Sequence, residues 1–188
     1  MRIITGKAKG IRLVTLEGEK TRPTAERVKE AVFSMLQFDI DSRRVLDLFA
    51  GSGQMALEAI SRGAKEAVLV DKAKEAVAVI NKNIEKTRFV DSCKVFCLDW
   101  SDYVRRFAGE KFDIVFLDPP YAAGLYAPAL SSLLAANMLK PTSLIVCESD
   151  SAEIFEKDKE LAARFKEVRV SRYSKTVITI LTPVAEEV

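Results

Sequence analysis

Val45-Leu46-Asp47-Leu48-Phe49-Ala50-Gly51-Ser52-Gly53 reads as a strand running into a glycine turn, with a helix opening near Gln54. Gly51 and Gly53 allow a tight turn and let the backbone approach a ligand with no Cβ in the way. The helix that follows offers free N–H groups to a polar or negative moiety. Twenty residues after Gly51, Asp71 closes the apolar run Ala67-Val68-Leu69-Val70. An acid at the tip of the second strand is placed to accept hydrogen bonds from ribose hydroxyls. Strand, glycine turn, helix and acid at this spacing describe a nucleoside-binding βαβ unit. They leave the nucleoside open. The third glycine of the dinucleotide fingerprint is replaced by Ala56, which that pattern tolerates, and nothing else in the stretch is specific for pyrophosphate.

Outward from this unit, strand and helix alternate over residues 44–182. Strands are expected at 44–49, 67–70, 94–98, 113–117 and 143–147, and helices at 54–62, 73–86, 101–107 and 126–136. Short unbroken apolar runs such as Ile114-Val115-Phe116-Leu117 suit strands covered on both faces, hence a parallel sheet. The rhythm predicts a doubly wound α/β fold. After a further helix, expected over 151–163, the runs 166–173 and 175–182 follow with almost nothing between them, so the last strand is expected to be antiparallel. The expected sheet is Rossmann-like, seven-stranded and mostly parallel. Its antiparallel last strand is what separates a methyltransferase sheet from a dehydrogenase one. Ahead of it, residues 2–5 and 11–16 alternate around a Gly6–Gly10 turn, as a hairpin would. Pro23 disfavours helix immediately before it and Thr24 can cap the helix that follows. Val28, Ala31, Val32, Met35 and Leu36 give that helix one apolar face. Two regions result: a hairpin and helix over 1–40, and the sheet domain over 41–188.

A chain of 188 residues, 48% hydrophobic and 30% charged, suits one compact domain with a small appendage. No apolar run approaches the roughly 20 residues that cross a bilayer. The opening Met1-Arg2-Ile3-Ile4-Thr5-Gly6-Lys7 is unlike a signal peptide, so a cytoplasmic protein is expected. There is no histidine, and Cys93, Cys97 and Cys147 cannot make a four-ligand structural zinc site; they are read as small buried strand residues, with no metal expected. Residues 1–30 hold eight Lys and Arg against four Glu, whereas the remainder holds 21 basic and 23 acidic residues. A basic N-terminal segment on a near-neutral body suits a phosphate-rich partner, and equally a solvated face. A monomer is the default.

Asp118-Pro119-Pro120-Tyr121 follows the strand at 113–117 directly. In open α/β sheets ligands sit at the carboxyl ends of strands, so this motif is expected beside the ligand of the glycine turn. Two prolines remove two N–H donors and leave carbonyls that only accept. An exocyclic amine on guanine, adenine or cytosine is a poor nucleophile, because its lone pair is delocalised into the ring. Hydrogen bonds from its two N–H groups to the Asp118 carboxylate and the Pro119 carbonyl favour a pyramidal nitrogen and return electron density to it. Positive charge developing on that nitrogen then meets a preorganised negative end. Tyr121 can stack on the base and set the line of attack.

With these residues, the chain resembles the bacterial 16S rRNA guanine-N2 methyltransferases of the RsmD type over nearly its whole length. The matching stretches are Arg2 to Gly10, Thr21-Arg22-Pro23-Thr24 with Arg27 to Ala31, Leu46 to Gly53, Leu57-Glu58-Ala59 with Ser61-Arg62-Gly63-Ala64, and Asp118 to Tyr121. The resemblance implies a class I methyltransferase sheet, S-adenosylmethionine as methyl donor, and 16S rRNA or an assembling small ribosomal subunit as partner. It implies that Asp47, Gly51 and Gly53, with Phe49 and Ala50 of the same loop, hold the methionine part. Asp71, with Lys72 beside it, would take the ribose; Asp99 would accept from the adenine amino group, with Trp100 against the ring. Asp118, Pro119, Pro120 and Tyr121 would hold the target base, and Arg2, Lys7, Lys9, Arg12, Arg22, Thr24 and Arg27 the RNA. Two departures stand out: Gln54-Met55-Ala56 after the glycine turn, and Tyr173-Ser174-Lys175-Thr176 where a Tyr-Gly pair before a threonine is expected.

Other readings use the same residues. A DNA or RNA adenine-N6 methyltransferase, or a protein-glutamine methyltransferase, would need a similar motif. A nicotinamide-dependent oxidoreductase would use the glycine turn and leave Asp118 to Tyr121 without a task. A non-catalytic RNA-binding module on a methyltransferase fold would need neither.

Overall fold

A computed structural model describes residues 1–16, 23–155 and 158–184. The chain forms two compact units, Met1–Trp100 and Ser101–Val188. In the first, helix α1 (Pro23–Met35) precedes β1 (Arg44–Asp47), α2 (Gln54–Ser61), β2 (Glu66–Asp71), α3 (Lys74–Thr87) and β3 (Cys93–Cys97). Strands β1, β2 and β3 are parallel, with Asp47 opposite Leu69 and Asp71 opposite Cys97, so the predicted nucleoside unit is a βαβ unit. After α4 (Trp100–Arg106), the second unit contains β4 (Phe112–Leu117), α5 (Tyr126–Ala135), β5 (Leu139–Ser149), α6 (Lys159–Ala163), β6 (Phe165–Tyr173) and β7 (Thr176–Pro183). Here β4 and β5 are parallel, while β7 lies antiparallel to both β5 and β6. The seven-stranded sheet has the order β3-β2-β1-β4-β5-β7-β6. All six residues of β4 are buried, as the unbroken apolar run requires for a strand covered on both faces.

Four expectations are corrected. Residues 2–5 and 11–16 form no pair of strands: a single antiparallel bridge joins Arg2 and Arg12, with Ile3 and Leu13 N–H groups bonded to the Ile11 and Met1 carbonyls. Several of the segment's donors are satisfied on α2 instead. Ile4 and Thr5 N–H groups donate to the Glu58 carboxylate at 2.7 and 3.0 Å, and the Ala8 N–H donates to Ser61 Oγ at 3.0 Å. The close approach needs Gly6, where a Cβ would sit 1.8 Å from the Ser61 carbonyl oxygen. Secondly, α1 begins at Pro23, so Thr24 lies inside the first turn and not ahead of it; proline suits that first position because the missing N–H would have no partner there. Thirdly, among the described residues the helix expected over 151–163 is confined to Lys159–Ala163, where Asp158 caps it by accepting from the Leu161 N–H. Lastly, Cys147 is buried but Cys93 is only half-buried and Cys97 is exposed. Among the described residues, no helix is long and apolar enough to cross a membrane.

Candidate active site

In the first unit, the carboxyl ends of β1, β2 and β3 carry three acids. Asp47 ends β1 with only 3% exposure. Burial pushes its pKa up to about 7, against the pull of hydrogen bonds from the Ala56 and Phe49 N–H groups, and the negative Asp71 adds to the rise. The glycine turn has positive φ at Gly51 (54°) and Gly53 (77°), conformations a side chain would strain. A Cβ on Gly53 would also press on Leu69 at 3.0 Å. Asp71 holds the turn in place: its carboxylate accepts from the Gly51 N–H and the Ala73 N–H, both at 2.9 Å. Each carboxylate oxygen keeps a further lone pair for a ligand hydroxyl. Lys72 is exposed beside it. Asp99 directly precedes α4, and the half-buried rings of Phe49 and Trp100 lie 6.3 Å apart at 43°.

Asn83 of α3 is a residue that sequence reading missed. Fully buried, its amide donates to the Ser52 carbonyl of the glycine turn and to the Val14 carbonyl, both at 2.9 Å, and accepts from the Val14 N–H at 2.7 Å. Nothing in its sequence context marks it, because a lone Asn on a helix face usually points to solvent. Glu58, within the matching stretch Leu57 to Ala59, has a structural task that its neighbours in sequence do not reveal. Its carboxylate, wholly buried, faces Lys29 Nζ at 3.7 Å and Arg62 Nε at 2.8 Å, and Lys29 in turn donates to the Arg2 carbonyl at 2.6 Å. Arg2, Lys7, Lys9, Arg12 and Arg27 have exposed side chains, Arg2 being ion-paired to Glu26 at 3.7 Å. Thr5, Gly6 and Lys7 line one wall of an open cleft with Arg62 and Gly63. Arg22 lies outside the described residues, and of Thr24 only the helical backbone is described.

In the second unit, Asp118, Pro119 and Pro120 leave the end of β4, and the Pro120 carbonyl accepts from the Ala123 N–H at 2.9 Å to close a short turn through Tyr121. Asp118 and Tyr121 are exposed, whereas Pro119 is buried. Since Leu117 pairs with Cys147, Asp118, which follows β4, and Glu148, the last residue but one of β5, stand at the same level of neighbouring parallel strands. The Tyr121 phenol lies within electrostatic reach of the Glu148 carboxylate and of Thr176 of β7. Burial, reinforced by the negative Glu148 and Asp118, pushes the Tyr121 phenol up to about 12. The Tyr126 hydroxyl donates to the Glu148 carbonyl. Burial raises the Glu148 pKa, and the Tyr121 phenol opposes that rise. Glu148 was legible by one signal: it closes the run Ser143–Cys147 as Asp71 closes Ala67–Val70. Thr176 belongs to the terminal turn whose sequence departs from the expected pattern, yet it is the residue of that turn that touches Tyr121.

A family model described as Conserved hypothetical protein 95 matches residues 1–182. The ribosomal RNA small subunit methyltransferase D of Haemophilus influenzae is 37% identical over 163 residues, which cover 86% of this chain and 81% of that one. The chain belongs to the RsmD family. A solved Escherichia coli structure, 28% identical, superposes with a TM-score of 0.84 over 99% of both chains. A chain solved in complex with SAH, 18% identical, shares the fold with a TM-score of 0.68 over 82% of this chain and 49% of its own. The class I methyltransferase sheet read from the sequence is therefore the fold of this RsmD-family chain.

Proposed function

We propose that the protein transfers a methyl group from S-adenosylmethionine to the exocyclic N2 amine of a guanine in 16S rRNA, as naked RNA or in an assembling small subunit. The observation that carries this reading is Asp118-Pro119-Pro120-Tyr121 at the carboxyl end of β4 in a member of the RsmD family.

The acids at the strand ends suit this cofactor. Beside the Asp47 carboxyl, Asp71 and Asp99 present negative charge to the ligand of the glycine turn, which repels a pyrophosphate and attracts the amino group and hydroxyls of S-adenosylmethionine. Asp47, with Phe49, Ala50, Gly51 and Gly53, would hold the methionine part; Asp71 and Lys72 the ribose; Asp99 and Trp100 the adenine. The bound cofactor supplies a methyl group on a sulfonium, a transfer that runs downhill. The chain therefore needs to position and to stabilise charge more than to activate. Asp118 and the Pro119 carbonyl accept from the two N–H groups of the amine and sharpen its lone pair. Pro120 fixes the turn, and Tyr121 lies against the base.

Residues 1–40 serve as the RNA-binding extension of the domain over 41–188. Arg2, Lys7, Lys9, Arg12 and Arg27 offer exposed cations for phosphates. The work is done in the cytoplasm, where ribosomes assemble.

The test is Asp118→Ala. Turnover is expected to fall by about 10³-fold or more while the dissociation constant for S-adenosylhomocysteine stays within about 3-fold of wild type, because the cofactor acids are untouched. Turnover near the wild-type value would end the assignment.

A further inference from the structure

We propose that Glu148 reads the ring N1–H of the target base and so restricts methylation to guanine; this rests on the Asp118-Pro119-Pro120-Tyr121 assignment above.

Three bases carry an exocyclic amine, and they differ at the ring nitrogen next to it. Guanine presents a donor, N1–H, beside N2. Adenine presents an acceptor, N1, beside N6, and cytosine an acceptor, N3, beside N4. A grip on the amine alone by Asp118 and a proline carbonyl cannot tell them apart. A second carboxylate at the level of the first can, since an ionised carboxylate only accepts. It pairs with the guanine N1–H and faces the adenine or cytosine ring nitrogen with two acceptors opposed. A base turned out of its helix is read in this way, along its Watson–Crick edge.

Glu148 meets the geometric requirements. The parallel register that pairs Leu117 with Cys147 brings the next residues, Asp118 and Glu148, to the same end of neighbouring strands. Tyr121 lies near enough to Glu148 to act on its carboxylate, so the ring expected to lie against the base stands beside the group expected to read it. A carboxylate offers roughly four acceptor positions, enough for a ligand beside Tyr121. The Tyr126 hydroxyl on the Glu148 carbonyl fixes the backbone at that point, and Ser149 Oγ, bonded to the Ser151 and Val177 carbonyls, fixes the next residue. Glu148 is half-buried, so a base can reach it while much of the solvent is excluded. Partial burial raises its proton affinity and makes it the stronger acceptor, and the Tyr121 phenol favours the ionised form.

The test uses an analogue that keeps the amine and loses the donor. In 2-aminopurine the exocyclic amine stands where guanine has N2, but the ring nitrogen beside it is an acceptor. Wild-type enzyme is first used to map the methylated nucleotide in rRNA from a strain lacking the enzyme. That nucleotide is then replaced by 2-aminopurine, and kcat/KM is measured on both substrates. Wild type is expected to prefer guanine by roughly 100-fold or more, the cost of opposing a site built for a donor. In Glu148→Gln the side-chain amide can donate to the analogue's ring nitrogen, and the preference is expected to fall at least ten-fold. The preference is a ratio within one preparation, so a partly folded variant does not distort it. If Glu148→Gln cannot be obtained folded, Glu148→Asp makes the same comparison, its shorter arm losing at least ten-fold of the preference. An unchanged preference in the folded variant would overturn the role of Glu148 and leave guanine-N2 methylation standing. A wild-type product carrying methyladenosine or methylcytidine would remove the guanine reading itself, and this inference with it.

Discussion

Asp47 shows how one buried carboxyl sets a pH dependence for the whole chain. Its folded pKa of about 7 stands above the ordinary 3.8, with burial the largest cause. Between those values the folded form keeps a proton that the unfolded chain has released. Stability contributed by this group is therefore complete below about pH 4 and is lost as pH rises through 7. Asp47→Asn keeps an oxygen for the Ala56 and Phe49 N–H groups and removes the titration. It is expected to flatten urea-unfolding stability between pH 5 and 8 and to exceed wild type at pH 8 by at most roughly 4 kcal/mol, since each pH unit separating the folded and unfolded pKa values is worth about 1.4 kcal/mol. Parallel pH profiles for the two proteins would contradict this. The strand-end placement of Gly51, Gly53, Asp71 and Asp118 in the candidate site was legible residue by residue, because each has chemistry tied to such a position. Asn83 and Thr176 were not, since each acts through a contact far away in sequence, on Val14 and on Tyr121 respectively.

The basic N-terminal segment and α2 behave as one element. Lys29, Glu58 and Arg62 form a buried ionic cluster under Ile4 and Thr5, and removing one member of such a cluster leaves an uncompensated charge. Glu58→Gln is expected to cost about 3–5 kcal/mol in urea unfolding, and the double variant with Lys29→Met to recover part of it. A loss under 1 kcal/mol would mean the cluster is relaxed by solvent. Above it, replacing Lys7, Lys9 and Arg12 together with Ala is expected to weaken RNA binding and to flatten its salt dependence by up to roughly two to three in log–log slope. An unchanged slope would remove this segment from the RNA surface. The hairpin expected here was misread because alternation over 2–5 and 11–16 is a local signal, whereas the donors at Ile4 and Thr5 are satisfied by α2, more than 50 residues away. The expected helix over 151–163 failed for a local reason. Ser151 Oγ accepts from the Glu153 N–H, a side-chain turn that competes with helix, and Asp158 caps the helix that starts only after it by accepting from the Leu161 N–H.

Across the molecule, strand–helix alternation implied a mostly parallel seven-stranded sheet and the closely spaced last two runs implied an antiparallel last strand, and the sheet has both, with the order β3-β2-β1-β4-β5-β7-β6. The order itself was not readable, because hydrophobic pattern fixes which residues are strands and not which strands are neighbours. Family membership supplies the methyltransferase chemistry that a glycine turn alone leaves open. Cofactor linkage separates that chemistry from a dehydrogenase's. S-adenosylmethionine at 100 times its Kd is expected to stabilise the protein by about 2.7 kcal/mol, read as a rise in Tm, while NADH at the same concentration is expected to leave Tm unchanged. The reverse pattern would favour the oxidoreductase. The central claim, that an amine on a guanine ring receives the methyl group, meets its most direct test in tritiated S-adenosylmethionine incubated with rRNA and small-subunit particles from a strain lacking the enzyme, followed by nucleoside analysis. The label is predicted in N2-methylguanosine. Label confined to adenosine or cytidine, or none transferred to either substrate, would contradict the account.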